Sequence, residues 1–267
     1  MNLVRWSKAA FITAMFGMLA APLLIVAGVS LNAKKLMFFP PKGLSLQWYP
    51  AVFETNQWLE ALTTSVIVAI TAGIIAISIA LPIAYFLWRH KVLYAKALFL
   101  AGIVPFALPP VITALGMLIF WVEVGHVGQI WNIMIGHGVF LVTLPLVMIS
   151  LGLESIDDEI LEAARTMGAD SRRIFTTIVF PMVLPYMVAG YAFVIVLSMN
   201  EYIISYFLGQ HATITLPVQL LASLRSGYSP IIAAASVMFI LFAVVIFSLV
   251  ARFGDLPKLL GAWTPKE

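Results

Sequence analysis

The chain contains no cysteine, and only 10% of its 267 residues are charged. The absence of cysteine excludes a disulfide framework and a thiolate metal site. A charged fraction this far below the roughly 25% typical of soluble domains excludes an ordinary globular protein. No Gly-Lys dipeptide occurs, so the chain lacks the Walker A loop that binds ATP phosphates. It also lacks H-E-x-x-H and G-x-S-x-G motifs, which leaves the alternative of a membrane enzyme without support.

Apolar residues are abundant: they make up 62% of the chain, and the mean hydropathy is +1.04. They form runs of about 18 residues or more, each long enough to cross a bilayer core of about 30 Å as a helix. Because these runs do not alternate apolar and polar residues, they predict helices rather than a barrel. We therefore expect an all-α membrane protein with a single transmembrane domain over residues 1–267. Its six predicted spans cover about residues 9–31, 60–88, 97–121, 129–153, 181–208 and 229–252.

Lysine and arginine predict the orientation of the spans. With the N-terminus inside, eleven of the 15 Lys and Arg residues lie on the inner side and four on the outer side. Both termini are then cytoplasmic, and the net charge of +3 follows from topology without a nucleic-acid partner. Arg5 and Lys8 precede the first apolar run, as in a signal peptide. That run is longer than a typical signal core, which favours an uncleaved helix.

The inner loop of residues 154–180 concentrates charge. Nine charged residues lie between Glu154 and Arg173, whereas the surrounding segments are almost wholly apolar. Ser155 and Asp158 have the spacing of a capping box, which predicts a helix that begins near Ile156.

Glycine and proline predict where the loop helices end. Gly168 suits the left-handed position that closes the first helix. Asp170 can then cap a second helix that runs to Pro181, whose ring interrupts the ladder or bends the chain into the fifth span. The residues that share one side of the first helix are Ile160, Ala163, Ala164 and Met167. This low apolar side suits a closely approaching partner, although a solvated amphipathic loop helix has the same pattern.

The loop carries a spaced set of residues: Glu162, Ala163, Ala164, Gly168, Ile178 and Pro181. It resembles the EAA loop of ABC-importer permeases, with Phe180 where the family has leucine, a change of packing rather than of role. Four apolar segments also resemble spermidine/putrescine-type permeases: PFALPPVITALG, GHGVFLVTLPLVM, LSMNEYIISYFL and TLPVQLLASLRSGYSPIIAAASVMF. The likeness covers roughly residues 60–250.

This resemblance implies the type I ABC importer permease fold, with a cytoplasmic EAA coupling helix and half of a translocation pore. It implies ABC ATPase subunits that bind ATP and Mg, a second permease chain that we expect to differ from this one, and a periplasmic or extracellular substrate-binding protein. The chain would lie in the lipid bilayer of the bacterial inner membrane, would bind no cofactor or metal itself, and would not be an enzyme. The residues implied in ATPase coupling are Glu162, Ala163, Ala164 and Gly168.

Glu201 is the one acidic residue within an apolar stretch. A charged group at a helix centre costs about 3 kcal/mol on insertion scales, so such residues usually face a cavity and serve a function. The resemblance places Asn200 and Glu201 where polyamine permeases often carry two aspartates. We predict a substrate pathway at Glu201, Asn200 and Tyr202 that attracts a small cation such as a polyamine. The structural alternatives are a protonated glutamate bonded between helices and one hydrated near the surface.

Other assignments remain open at this stage. His137 lies in an apolar stretch, and we expect it to bond a backbone carbonyl rather than bind a metal, because no Cys or carboxylate neighbours it. The cargo could instead be an aminophosphonate, an opine-like compound or iron. A self-contained secondary transporter is a further class, but it would favour paired intramembrane charges or internal repeats, which we do not find.

Overall fold

The computed structural model describes residues 2–90, 93–210, 212–227 and 229–253. Within these ranges the chain is helical, and β pairing is limited to an isolated bridge between Asn32 and Leu44. Three of the lysines that the topology prediction uses lie outside the described residues, namely Lys91, Lys258 and Lys266.

The helices are numbered in chain order. They are α1 (Asn2–Ser30), α2 (Trp48–Glu54), α3 (Asn56–His90), α4 (Leu93–Ala107), α5 (Pro110–Val124), α6 (Ile130–Phe140), α7 (Thr143–Glu154), α8 (Asp158–Thr166), α9 (Ser171–Ile174), α10 (Phe180–Asn200), α11 (Ile203–Gly209), α12 (Leu216–Ser226) and α13 (Pro230–Phe253). A π-helical turn, Phe175–Val179, joins α9 to α10.

Six membrane spans can be drawn through these helices. Four segments are long and apolar enough on their own: Trp6–Ser30, Asn56–His90, Ser171–Asn200 and Pro230–Arg252. The third and fourth predicted spans are instead bent pairs, α4 with α5 and α6 with α7. The prediction of six spans therefore holds when each bent pair counts as one span.

The third span is not the straight helix that hydropathy predicts, because α4 and α5 meet at 110°. Pro109 and Pro110 follow one another at the bend, and Pro109 has an extended ψ of 131°. A residue before proline is driven out of the helical region, so the helix must stop there, and the second proline is suited to open the next helix. The Thr113 hydroxyl donates to the carbonyl of Pro105 at 3.3 Å, which gives a freed carbonyl a partner across the bend.

The fourth span bends by 42° between α6 and α7. Pro145 has no N–H to donate to the carbonyl of Leu141, the residue four positions before it. The N–H of Leu144 donates to that carbonyl instead, at 3.3 Å, and Leu146 resumes the regular pattern by donating to Val142 at 3.0 Å. The proline thus changes the direction of the span while its backbone groups stay bonded.

The chain divides into two compact units. Of the described residues, those up to Leu59 and those of Gln219–Ala243 form one unit, and those of Glu60–Val218 and from Val244 to Phe253 form the other. The prediction of a single transmembrane domain stays a prediction.

In the first unit, a buried asparagine organises the loop that follows α1. The side-chain amide of Asn32 donates to the carbonyl of Phe38 at 2.6 Å, and its oxygen accepts from the N–H of Lys42 at 2.8 Å. The indole N–H of Trp48 donates to the Asn32 carbonyl at 2.6 Å. These bonds hold the loop in a defined path between α1 and α2.

In the second unit, α7 and α10 lie against one another because glycines remove side chains from their contact. A Cβ added at Gly190 of α10 would lie 2.8 Å from the Cα of Pro145, and one added at Gly152 of α7 would lie 2.7 Å from the ring of Tyr186. Small residues at such contacts let helix backbones approach closely, which is a main source of helix association in membranes. This contact anchors the long α10 helix.

We predict that Gly190→Ala destabilises the assembled protein, because the new methyl group would overlap backbone atoms of Pro145. Overpacking of this kind costs about 1–3 kcal/mol. Gly116→Ala is the matched control, since a Cβ at Gly116 meets nothing within 4 Å. Thermal unfolding in detergent should show a lower midpoint temperature for Gly190→Ala alone. Equal midpoint shifts in Gly190→Ala and Gly116→Ala would mean that this close contact does not contribute to stability.

Candidate functional site

The first helix of the charged loop, α8, is capped by Asp157. The Asp157 carboxylate accepts a hydrogen bond from the N–H of Glu159 at 3.1 Å. The predicted capping box at Ser155 is wrong, because the Ser155 hydroxyl donates to the carbonyl of Gly152 at 2.8 Å at the end of α7. The helix consequently begins at Asp158 rather than near Ile156.

Gly168 closes α8 as the sequence predicts. Its φ of +85° lies in the left-handed region, which glycine adopts without a steric penalty. The N–H of Gly168 donates to the carbonyl of Arg165 at 2.9 Å, and the N–H of Ala169 donates to that of Ala164 at 3.0 Å. This pair of bonds is the Schellman motif, and it gives the chain a defined turn towards the next helix.

The side chains of α8 divide between an inner face and an outer apolar stripe. Leu161 and Ala164 are buried, with 3% and 5% of their surface exposed, and belong to the hydrophobic core. Ile160, Ala163 and Met167 are exposed, and Met167 exposes 84% of its surface. Ala164 therefore does not share the accessible side that its spacing predicts. The remaining stripe of three residues, one helical turn apart, is an apolar surface on the outside of the loop.

The inner edge of α8 borders a groove that the ends of neighbouring helices also line. This groove has a volume of about 590 Å³, and its lining includes Trp88 and Arg89 at the end of α3, Glu154 at the end of α7 and Asp158 of α8. Charged side chains thus surround the inner edge of the loop, while its apolar residues reach into the core.

The second loop helix continues into the fifth span without a stop. Asp170 caps α9 by accepting from the N–H of Arg173 at 2.7 Å, as predicted. The prediction that Pro181 ends this helix or bends the chain is not met, since Ser171–Asn200 passes as one span. The π-helical turn accounts for the difference: the N–H of Phe180 donates to the carbonyl of Phe175, five residues back. A wider turn of this kind accommodates a residue that cannot donate.

The fifth span is interrupted at its far end, where α10 stops at Asn200 and α11 starts at Ile203. Glu201 lies in the break and caps α11 with both carboxylate oxygens. Oε1 accepts from the N–H of Ile203 at 3.1 Å, and Oε2 accepts from those of Ile204 at 2.7 Å and Ser205 at 3.3 Å. A continuous helix over residues 181–208 is therefore wrong. The carboxylate supplies the acceptors that the free N–H groups of α11 require within the membrane.

His137 of α6 is fully buried beside this break. Its Nδ1 lies 2.7 Å from the hydroxyl of Ser198, and its Nε2 lies 3.0 Å from the hydroxyl of Ser205 and 3.6 Å from Oε2 of Glu201. As predicted, the buried His137 is hydrogen-bonded within the protein, but its partners are serine hydroxyls rather than a backbone carbonyl. Among the described residues, no group of three or more His, Cys, Asp or Glu side chains could hold a metal.

The three predicted pathway residues differ in what they present to their surroundings. Asn200 is exposed, Tyr202 is half-buried, and the side chain of Glu201 is only 10% exposed. The rings of Tyr202 and Tyr206 are stacked with centroids 5.5 Å apart. In this conformation, Asn200 and part of Tyr202 are accessible, whereas the side chain of Glu201 is largely covered.

Sequence reasoning missed Ser198 and Ser205 as functional neighbours. Each is a small polar residue in an apolar stretch, which is an ordinary feature of membrane helices. The available signal was their position, since they lie three residues before and four residues after Glu201. On a helix, such spacing places side chains on the side of the central residue.

Residues 74–255 match the protein family described as "Binding-protein-dependent transport system inner membrane component". The chain belongs to this family. It is similar to the spermidine/putrescine transport system permease protein PotC of Haemophilus influenzae, at 26% identity over 90% of this chain and 93% of that protein. It is also similar to the putrescine transport system permease protein PotI of Escherichia coli, at 30% identity over 89% of this chain and 86% of that protein.

A solved structure has the same fold as this inner membrane component. It is that of a bacterial ABC transporter involved in the import of the acidic polysaccharide alginate, with a TM-score of 0.71 and 17% identity over 94% of this chain and 96% of that one. The family and the fold confirm the prediction of a type I ABC importer permease. The protein is a transport subunit that crosses the inner membrane several times.

We predict that Asp157→Ala loosens the start of α8, because it removes the acceptor for the N–H of Glu159. Loss of such a cap costs about 1 kcal/mol, which corresponds to roughly fivefold faster hydrogen exchange in the first turn. Ser155→Ala is the matched control, since the Ser155 hydroxyl bonds within α7. The measurement is hydrogen exchange by mass spectrometry. A larger increase of exchange in Ser155→Ala than in Asp157→Ala would support the capping box at Ser155 and contradict Asp157 as the cap.

Proposed function

We propose that this permease forms half of the pore of an ATP-driven importer for a small cation, with a polyamine as the cargo. The observation that carries the proposal is the exposed stripe of Ile160, Ala163 and Met167 on α8. This helix is capped at both ends and is joined, through the turn at Gly168 and through α9, to a membrane span. A partner that binds this stripe could displace α8, and the displacement would be transmitted to the fifth span.

The partner that fits this stripe is an ABC ATPase subunit, which would bind ATP and Mg and close against its own copy. The chain has no Gly-Lys dipeptide, so a Walker site must come from another polypeptide. Glu162 is exposed beside the stripe and would orient the docked helix through polar contacts. Ala163 would permit close approach, Ala164 would hold α8 to the core, and Gly168 would keep the turn. This arrangement requires the loop and both termini to be cytoplasmic.

The remaining partners follow from the pore itself. A second permease chain, different from this one, would complete the pathway, and a periplasmic or extracellular binding protein would deliver the cargo. The pathway side of this half would include Asn200, Glu201 and Tyr202. A polar Asn200 that is exposed at the end of a membrane helix is unfavourable against lipid, and a water-filled path or a partner helix removes that cost.

Polyamine cargo is supported by two of the relatives, which are named as spermidine/putrescine and putrescine permeases. The side chains at the break are of the kinds that attract a cationic cargo. Glu201 holds a carboxylate behind the exposed residues, and the faces of the stacked tyrosines can attract ammonium groups. Cargo choice in such systems rests largely with the binding protein, so the proposal is tested on the complete importer.

We predict ATP-dependent uptake of labelled putrescine by vesicles that contain the purified importer and its binding protein. Adipate, which carries negative charges in place of the two ammonium groups, should not be taken up. Uptake that needs an ion gradient and no ATP would refute the importer, and ATP-dependent uptake without any polyamine preference would refute the cargo.

A pair of matched variants tests the docking stripe in the same vesicles. Ala163→Trp should reduce uptake and binding-protein-stimulated ATP hydrolysis at least tenfold, because a bulky side chain would separate α8 from the ATPase. Arg165→Trp places the same side chain about 200° further round the helix and should retain most of the activity. Equal loss in both variants would contradict docking through this stripe.

We also predict that Glu201→Gln raises the uptake KM for putrescine roughly thirtyfold, because a charge about 8 Å away contributes about 2 kcal/mol at an effective dielectric constant near 20. Glu201→Asp is the control, since it keeps both the negative charge and the ability to cap α11. The measurement is initial uptake rate against putrescine concentration. An unchanged KM in Glu201→Gln would rule out a role for the charge.

A further inference from the structure

The imidazole of His137 contacts residues on both sides of the break in the fifth span. Ser198 belongs to α10, before the break, and Ser205 belongs to α11, after it. The two hydroxyls contact opposite nitrogens of His137, at 2.7 Å for Nδ1 and 3.0 Å for Nε2. His137 comes from a third helix, α6, so a single side chain ties both halves of the interrupted span to a neighbour.

A neutral imidazole in one tautomer satisfies all the hydrogen bonds of this cluster. The Ser205 hydroxyl donates to the backbone carbonyl of Glu201 at 3.0 Å, so its oxygen is free to accept from His137. In the neutral ring Nε2 then carries the proton, and Nδ1 accepts from the hydroxyl of Ser198. In this assignment every polar group of the cluster is satisfied, as a buried network requires.

Glycines on either side of His137 make the contact possible. A Cβ added at Gly136 would lie 2.5 Å from Leu208 and 3.1 Å from Ile204, both on α11, and one added at Gly138 would lie 2.6 Å from Ile75 of α3. The tripeptide Gly136-His137-Gly138 therefore admits α11 on one side and α3 on the other. A larger residue at either glycine would push the imidazole away from its partners.

The bond that His137 makes to Ser205 also supports the cap. Ser205 donates its hydroxyl to the Glu201 carbonyl and its N–H to the Glu201 carboxylate. A shift of Ser205 would disturb both bonds, and with them the conformation of the residues in the break. In this conformation Asn200 is exposed and Tyr202 is half-buried.

We propose that His137 is a positioning residue for cargo: by joining Ser198 to Ser205 it fixes α11 against α10 and so sets the place of Asn200, Glu201 and Tyr202. The inference rests on the proposed function, in which these residues line the pathway. His137 itself does not touch the cargo, because it is fully buried. Because His137 belongs to α6, a movement of α6 would also shift Ser198 and Ser205 at the break.

The test compares variants of the imidazole and its partners in the complete importer. His137→Phe keeps the ring and removes both nitrogens, His137→Gln keeps one amide able to bond Ser205, and Ser198→Ala and Ser205→Ala remove one bond each. Thr143→Ala is the matched control, because the Thr143 hydroxyl makes a buried bond of 2.7 Å to the Gly102 carbonyl away from the break.

Hydrogen exchange of residues 203–209 and putrescine uptake are the two measurements. His137→Phe should speed exchange in α11 at least tenfold and raise the uptake KM at least fivefold with less than a twofold change in kcat. His137→Gln should recover part of both effects, and Ser198→Ala should add nothing in a His137→Phe background. Thr143→Ala should leave α11 exchange and KM unchanged.

Several outcomes would overturn the inference: unchanged α11 exchange in His137→Phe, a change confined to kcat, or additive effects of Ser198→Ala and His137→Phe. If His137→Phe proves too unstable to assemble, the same comparison is made with the two serine variants. The exchange measurement needs no cargo. Faster α11 exchange in an importer whose unmodified form takes up no putrescine would support the link and refute the cargo instead.

Discussion

Inside a bilayer no water is available to bond a backbone N–H or C=O, and this protein interrupts its helices repeatedly within the membrane-spanning segments. Each interruption depends on a local replacement for the missing helical bond. The Thr113 hydroxyl crosses the bend between α4 and α5, and the N–H of Leu144 serves the carbonyl that Pro145 leaves free. At the end of α10 the Glu201 carboxylate serves three N–H groups of α11. The breaks can therefore exist only where such a partner is present.

The charged loop also has a hydrogen-bonded group at each of its junctions. Asp157 and Gly168 cap the two ends of α8, and Asp170 caps the start of α9. The π-helical turn then continues the helix past Pro181. The span then lies against α7 through the contact of Gly190 with Pro145. In the proposed function, these bonded junctions would carry a displacement of α8 along the fifth span to the break at Glu201. A flexible loop of the same composition would absorb the movement instead.

Local features were predicted well where a few neighbouring residues decide them. Gly168 adopts the left-handed conformation because its partners are the carbonyl groups of the helix that it ends, and Asp170 caps the residues that follow it directly. Ser155 and Asp157 are both good caps, and the choice between them depended on where α7 ends, which involves the contacts of another helix. The prolines likewise predicted interruptions, but whether a span bends by 42° or 110° depends on the helices packed around it.

The sequence alone determined that the chain is an α-helical membrane protein with up to six spans, a loop that resembles the EAA loop and no Walker A motif. Hydrophobicity and short spacings carry that information, because the bilayer acts on each segment separately. The surroundings of Glu201 and His137 were decided only by the tertiary structure. His137 bonds residues 61 and 68 positions away, and a buried polar group takes whichever partners helix packing brings within 3 Å. Composition places a carboxylate and an imidazole in the membrane, but only the packing of α6, α10 and α11 makes them neighbours.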